Sequence, residues 1–121
     1  MSKLKNNLDK SLNNKKVYIS LPMKGVEDTV WARYQSSVAY VKQLPGYELC
    51  DIIPPIDITD FMPNYKPENI KYSYGYYLGK DVELLCDCTD ILMSENWENS
   101  KGCKIEKYIA ETLDINVIYK K

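Results

Sequence analysis

With 121 residues, 45% hydrophobic and 27% charged, the chain has the composition of one ordinary globular domain and is too short for two cores. A formal net charge of -1 excludes a broad basic surface of the kind DNA, RNA or an anionic membrane requires. The absence of histidine removes the usual general base and the Ser-His and Cys-His nucleophile pairs, so proton transfer falls to carboxylates and tyrosines.

Cys50, Cys86, Cys88 and Cys103 have neither paired C-x-x-C spacing nor a histidine to complete a zinc set. They read as reduced thiols, and no metal or other cofactor is expected. No apolar run approaches the roughly 20 residues of a membrane span, and the N-terminus lacks the apolar core of a signal peptide. A cytoplasmic protein with no membrane partner is therefore expected.

Residues 1–16 are rich in Lys and Asn and read as a flexible tail, with the domain spanning 17–121. Val17 to Leu21 predicts a central strand, followed by the turn Pro22-Met23-Lys24-Gly25. Asp28 is the expected N-cap of a helix to about Leu44, with Val30, Tyr34, Val38 and Val41 on one stripe and Pro45-Gly46 ending it. Tyr47 to Ile53 predicts the second strand, stopped by Pro54-Pro55. Between Ile56 and Tyr74 no periodicity holds, and Pro63 and Pro67 break any helix, which predicts a long loop. Tyr65, Tyr72, Tyr74, Tyr76 and Tyr77 crowd its end. Their flat apolar faces and polar tips suit a wall around a sugar or base, and equally a plug at a sheet edge or a dimer contact.

Leu78 to Cys88 predicts a helix carrying Asp81, Asp90 to Ser94 a third strand, and Ile115 to Tyr119 a fourth. Between the last two strands lies a polar turn ending in Ser100, a good N-cap, and a helix to Leu113 with Ile105, Tyr108, Ile109 and Leu113 on its apolar face. The alternation predicts an α/β domain: one doubly wound, Rossmann- or flavodoxin-like parallel sheet of about four strands in order 2-1-3-4, with helices on both faces. In that order the ligand crevice lies between the ends of the first and third strands. Pro22 to Gly25 then face Trp97 to Glu106 across it.

Tyr18-Ile19-Ser20-Leu21-Pro22-Met23-Lys24-Gly25, Asp81 and Ser100-x-Gly102-x-x-x-Glu106 carry a resemblance over about Val17 to Tyr119. The chain resembles the nucleoside 2-deoxyribosyltransferase superfamily, especially its short bacterial and phage members and the related 2-deoxynucleoside 5-monophosphate N-hydrolases. The resemblance implies N-glycosidic chemistry at the anomeric carbon of a deoxyribose. It gives Glu106 the role of nucleophile, Asp81 that of the acid acting on the leaving base, and Tyr18 that of orienting Glu106. It also implies phosphate contacts from Ser100 and Lys24, and a homodimer or higher oligomer.

Pro22, Met23, Lys24, Gly25, Trp97, Ser100 and Gly102 are the candidate substrate-binding residues. Trp97 is expected to pack over the pocket or at a subunit contact. The family's C-terminal asparagine does not follow the last strand, which favours a hydrolase over a transferase. Independently of the resemblance, two carboxyl groups suit an oxocarbenium-like transition state, one ionised against the sugar and one handling the leaving group's proton. A small-molecule nucleoside or nucleotide is the expected ligand. A non-catalytic nucleotide-binding module of the same fold stays open, as does an interaction protein that uses the tyrosine-rich loop.

Overall fold

In the computed structural model, which describes residues 15–62 and 72–121, the chain folds as a four-stranded, all-parallel sheet flanked by helices. The strands are β1 (Lys16–Ser20), β2 (Asp51–Ile53), β3 (Asp90–Met93) and β4 (Asn116–Tyr119). The helices are α1 (Val30–Lys42), α2 (Tyr74–Cys86) and α3 (Lys101–Thr112). Spatial order is β2-β1-β3-β4, so the chain reverses direction across the sheet between β1 and β3, as the sequence pattern predicts. Residues 1–14, Tyr65, Pro63 and Pro67 lie outside the described residues.

The register follows from which strands are buried on both faces. Val17 pairs with Ile52 of β2 on one side and Asp90 of β3 on the other, and Ile91 pairs with Val117 of β4. β3 is buried throughout, as an interior parallel strand must be. Alternation along β1 then divides the core. Val17, Ile19 and Leu21 pack with Val30 and Val41 of α1, Cys50, Ile58 and Leu92 on one face. On the other, Tyr18 packs with Leu85 of α2, Cys103 and Ala110 of α3, Ile91, Met93 and Ile115.

At the end of the sheet where its strands begin, Asp90 is 1% exposed and accepts hydrogen bonds from three neutral donors. These are the Tyr47 hydroxyl at 2.6 Å, the Asn116 side-chain amide at 2.8 Å and the Thr89 hydroxyl. One buried acid thereby ties together the approaches to β2, β3 and β4.

Four local expectations are corrected. β2 begins at Asp51, because Tyr47 to Cys50 turns, with the Tyr47 N–H on Leu44 O and the Cys50 N–H on Tyr47 O, and Tyr47 is drawn toward Asp90. Asp28 does not cap α1. It sits in a single 3-10 turn, Glu27–Thr29, and the helix starts at Val30. α2 begins at Tyr74 because Ser73 caps it, accepting from the Tyr76 N–H at 3.1 Å, so Tyr74, Tyr76 and Tyr77 belong to a helix and not to a loop. In α3 the buried residues are Cys103, Glu106 and Ala110, whereas Ile105, Tyr108 and Leu113 are exposed. Ser100 caps α3 as expected, accepting from the Cys103 N–H at 3.2 Å. Among the described residues no helix is long and apolar enough to cross a membrane.

Candidate active site

The strands β1 and β3 end in turns that diverge to α1 and α3, and this divergence opens a cleft of about 1110 Å³ over the C-terminal ends of the sheet. Glu106, one turn and a half into α3, projects to its floor and is 5% exposed. β1 supplies its partners. Tyr18 and Ser20 are two residues apart, so both side chains leave the same face of the strand. The Tyr18 hydroxyl donates to Glu106 Oε2 at 2.8 Å and the Ser20 hydroxyl to Oε1 at 2.7 Å. Each carboxylate oxygen has its own donor, and the acid is fixed in orientation.

Asp81, in the middle of α2, reaches the same cleft. Its Oδ1 accepts the Ile56 N–H at 2.7 Å, which pins the turn after β2 against the helix and brings Asp57 onto the cleft wall beside it. The charges of Asp81 and Asp57 bear on Glu106, and that of Asp57 on Asp81. Burial pushes Glu106 up to about 7 against the opposing bonds from Ser20 and Tyr18, and the nearby charges of Asp81 and Asp57 add to the rise. Asp81 is pushed up to about 6, first by burial and then by Asp57, while the Ile56 amide and the Tyr18 hydroxyl pull it down. Asp57 is raised by burial. Tyr18 is held well above its ordinary value by burial and by both carboxylates, so it stays protonated. Cys103, lining the floor, is pushed up to about 11 by burial and is a neutral thiol.

The other lobe of the cleft carries the cations and the start of α3. Lys24, Arg33, Lys101, Asn99 and Ser100 line it. Arg33 is held by Nη2 donating to Pro22 O at 2.6 Å and Nε to the Thr29 hydroxyl at 2.9 Å, which braces the first turn against α1. Gly102 sits where an added Cβ would come within 3.3 Å of the Tyr74 hydroxyl, so the glycine makes room for that tyrosine. Asn96, at the rim, has φ 63°, a left-handed conformation that asparagine tolerates.

Of the residues singled out from sequence, Tyr18, Pro22, Met23, Lys24, Asp81, Ser100, Gly102 and Glu106 come together around this one cleft. Gly25 and Trp97 do not line it. Gly25 serves the turn itself, at φ 84°. Trp97 lies against Tyr119, with ring centroids 5.8 Å apart, and under the Lys107 ammonium at 5.4 Å, on the β4 side. Sequence reasoning missed Ser20, Asp57 and Arg33. Two of these carried a signal: Ser20 shares a strand face with Tyr18, and Asp57 follows the end of a parallel strand, where ligands gather. Among the described residues no group of three or more cysteine, aspartate or glutamate side chains is arranged to hold a metal ion.

Fold and cleft together define a doubly wound α/β protein with an acidic, tyrosine-lined site at its topological switch point. The chain belongs to the DUF4406 family, described as a domain of unknown function, whose sequence model matches residues 15–119. No curated protein and no solved structure matches the chain.

Proposed function

We propose that the protein is an N-glycosidase that cleaves the base–deoxyribose bond of 2-deoxynucleosides or their 5-monophosphates, with water as the acceptor. One observation carries the reading: a buried glutamate, held by a hydroxyl on each oxygen, shares a cleft with a second acid whose ordinary pKa is also raised. The sequence resemblance to nucleoside 2-deoxyribosyltransferases supports the same chemistry. The Glu106 carboxylate attacks the anomeric carbon, Asp81 gives its proton to the departing base, and water then hydrolyses the glycosyl-enzyme. Positive charge growing on the sugar favours the ionised form of Glu106, so the interaction strengthens toward the transition state.

The sugar's remaining substituents then lie along the two lobes. A 5-phosphate fits the lobe with Arg33, Lys24 and Ser100, where free N–H groups at the start of α3 and the helix dipole add to the cations. The base fits the lobe lined by Tyr72, Tyr74, Tyr77 and Leu78. The proposal includes a cytoplasmic location and a homodimer or higher oligomer, both carried by the sequence reading.

Incubation with each deoxynucleoside monophosphate, followed by chromatography for free base, tests the activity. Base release is expected, and Glu106→Gln is expected to reduce it on the order of 10³-fold. No release from any of them, with or without an acceptor base, rejects the enzyme. Nucleotide-induced thermal stabilisation that survives Glu106→Gln without turnover would identify a binding module instead.

A further inference from the structure

The turn after β2 is fixed on both sides of Asp57. The Ile56 N–H donates to Asp81 Oδ1 at 2.7 Å, the Ile58 N–H donates to Pro55 O at 3.1 Å, and the Ile58 side chain is buried in the core beneath. Asp57 stands between these anchors on the cleft wall, one residue from the bond that joins its turn to Asp81. It also holds the N-cap position of the 3-10 turn Ile58–Phe61, yet its side chain accepts no capping bond. An aspartate there usually spends its carboxylate on the turn's own N–H groups. This one keeps it for the cleft, where its charge bears on both Asp81 and Glu106.

We propose that Asp57 and Asp81 together read one edge of the leaving base, and that they select a base whose proton-accepting ring nitrogen lies beside an exocyclic amino group, as in adenine and cytosine. The inference rests on the glycosidase reading for the place of the base, between these two acids and the wall of Tyr72, Tyr74 and Tyr77.

Neighbouring carboxyls hold one proton between them more readily than two charges. The pair then offers one O–H donor and one carboxylate acceptor side by side. Asp81, pushed up to about 6, is the member that carries the proton, and its Oδ2 is the oxygen not already taken by the Ile56 N–H. Adenine presents N7 as acceptor beside its N6 amino donor, and cytosine N3 beside its N4 amino donor. Either edge matches an Asp81 that donates and an Asp57 that accepts. Guanine offers two acceptors, N7 and O6, so its O6 would face the Asp57 charge. Thymine offers a donor at N3 and an acceptor at O4, the reverse order. Placing the proton on Asp57 would suit thymine but leave Asp81 with nothing to give. In the matched complex the Asp81 Oδ2–H bond breaks as its proton passes to the ring nitrogen, and the electron pair of the glycosidic bond leaves with the base. Asp57 only accepts from the amino group and exchanges no proton.

Calorimetry of the Glu106→Gln protein with the four deoxynucleoside monophosphates tests the selection without turnover. The adenine and cytosine nucleotides are expected to bind about tenfold or more tighter than those of guanine and thymine. Asp57→Asn in the same background keeps the shape, loses the charge and can turn its amide N–H toward the base. It should weaken adenine and cytosine about tenfold while guanine and thymine hold or improve. A residue that only shaped its turn would weaken all four alike. Equal binding of the four, a preference for guanine or thymine, a uniform loss in Asp57→Asn, or no binding at all overturns the proposal.

If Asp57→Asn does not fold, the ligand carries the same test. The deoxynucleotide of unsubstituted purine, which keeps N7 and lacks the amino group, should bind about tenfold more weakly than the adenine nucleotide, and equal binding overturns the selection. Its failure and that of the glycosidase are separable. Binding that favours adenine and cytosine, with no base released by the unmodified protein, rejects the enzyme and upholds the edge reading. Release of all four bases at equal kcat/KM upholds the enzyme and overturns the edge reading.

Discussion

Asp90 and Glu106 are both buried acids on the same sheet, one where the strands start and one where they end, and their surroundings separate structure from chemistry. Asp90 accepts from three neutral donors on three segments, with no second carboxyl among its bonding partners. Glu106 accepts from two hydroxyls of one strand and faces Asp81 and Asp57, whose charges oppose its ionisation. The first arrangement ties the sheet together. The second keeps an acid in tension beside an open cleft, which costs stability and is the arrangement the proposed glycosidase would use.

The first test of the contrast removes the structural acid. Asp90→Ala removes the buried acceptor shared by a half-buried tyrosine hydroxyl, a threonine hydroxyl and an exposed side-chain amide, and should lower unfolding free energy by about 2 kcal/mol in urea titrations, while ligand affinity of the folded fraction is unchanged. A loss confined to ligand binding would reverse the assignment of the two ends.

The proposed nucleophile should behave oppositely. Glu106 rises from its ordinary 4.5 to about 7 on folding, so between those values the native state holds a proton that the unfolded chain has released. Its contribution is thus intact below about pH 4.5 and falls as pH climbs through 7, by about 3 kcal/mol in all. Glu106→Gln, which cannot ionise, should therefore melt higher than the unmodified protein at pH 8 and close to it at pH 4. Equal melting temperatures at both would mean the carboxyl is not held against its charge.

The smallest effect is expected at Gly102. Alanine there presses on the end of a flexible tyrosine side chain at 3.3 Å and leaves the fold stable within about 1 kcal/mol, but it narrows the start of α3 and should weaken monophosphate binding more than nucleoside binding in calorimetry.

The architecture was readable because interior parallel strands are short apolar runs and the helices between them carry punctuation at Pro45-Gly46 and Ser100. The site was readable only where a motif pointed to it. Periodicity misled in α3, where Ile105, Tyr108 and Leu113 suggest an inward face and yet Glu106 is the residue turned inward. A charged side chain takes a buried position only when distant hydroxyls meet it, and Tyr18 and Ser20 lie more than eighty residues away in sequence. Arg33 looks like any helix-surface arginine until the first turn folds back onto it. The helix start at Tyr74 was hidden because a cap at Ser73 is one serine among polar neighbours.

The positions of the aromatic side chains have a practical corollary. Trp97 stacks on the last strand and Trp31 pairs with Tyr34 on α1, at a centroid distance of 5.5 Å, so neither indole faces the cavity. Indole emission, excited at the red edge where the tyrosines lining the cleft do not absorb, should therefore stay flat as the cleft fills and change only when the sheet comes apart, which makes it a denaturation gauge that reports on folding without contamination from occupancy.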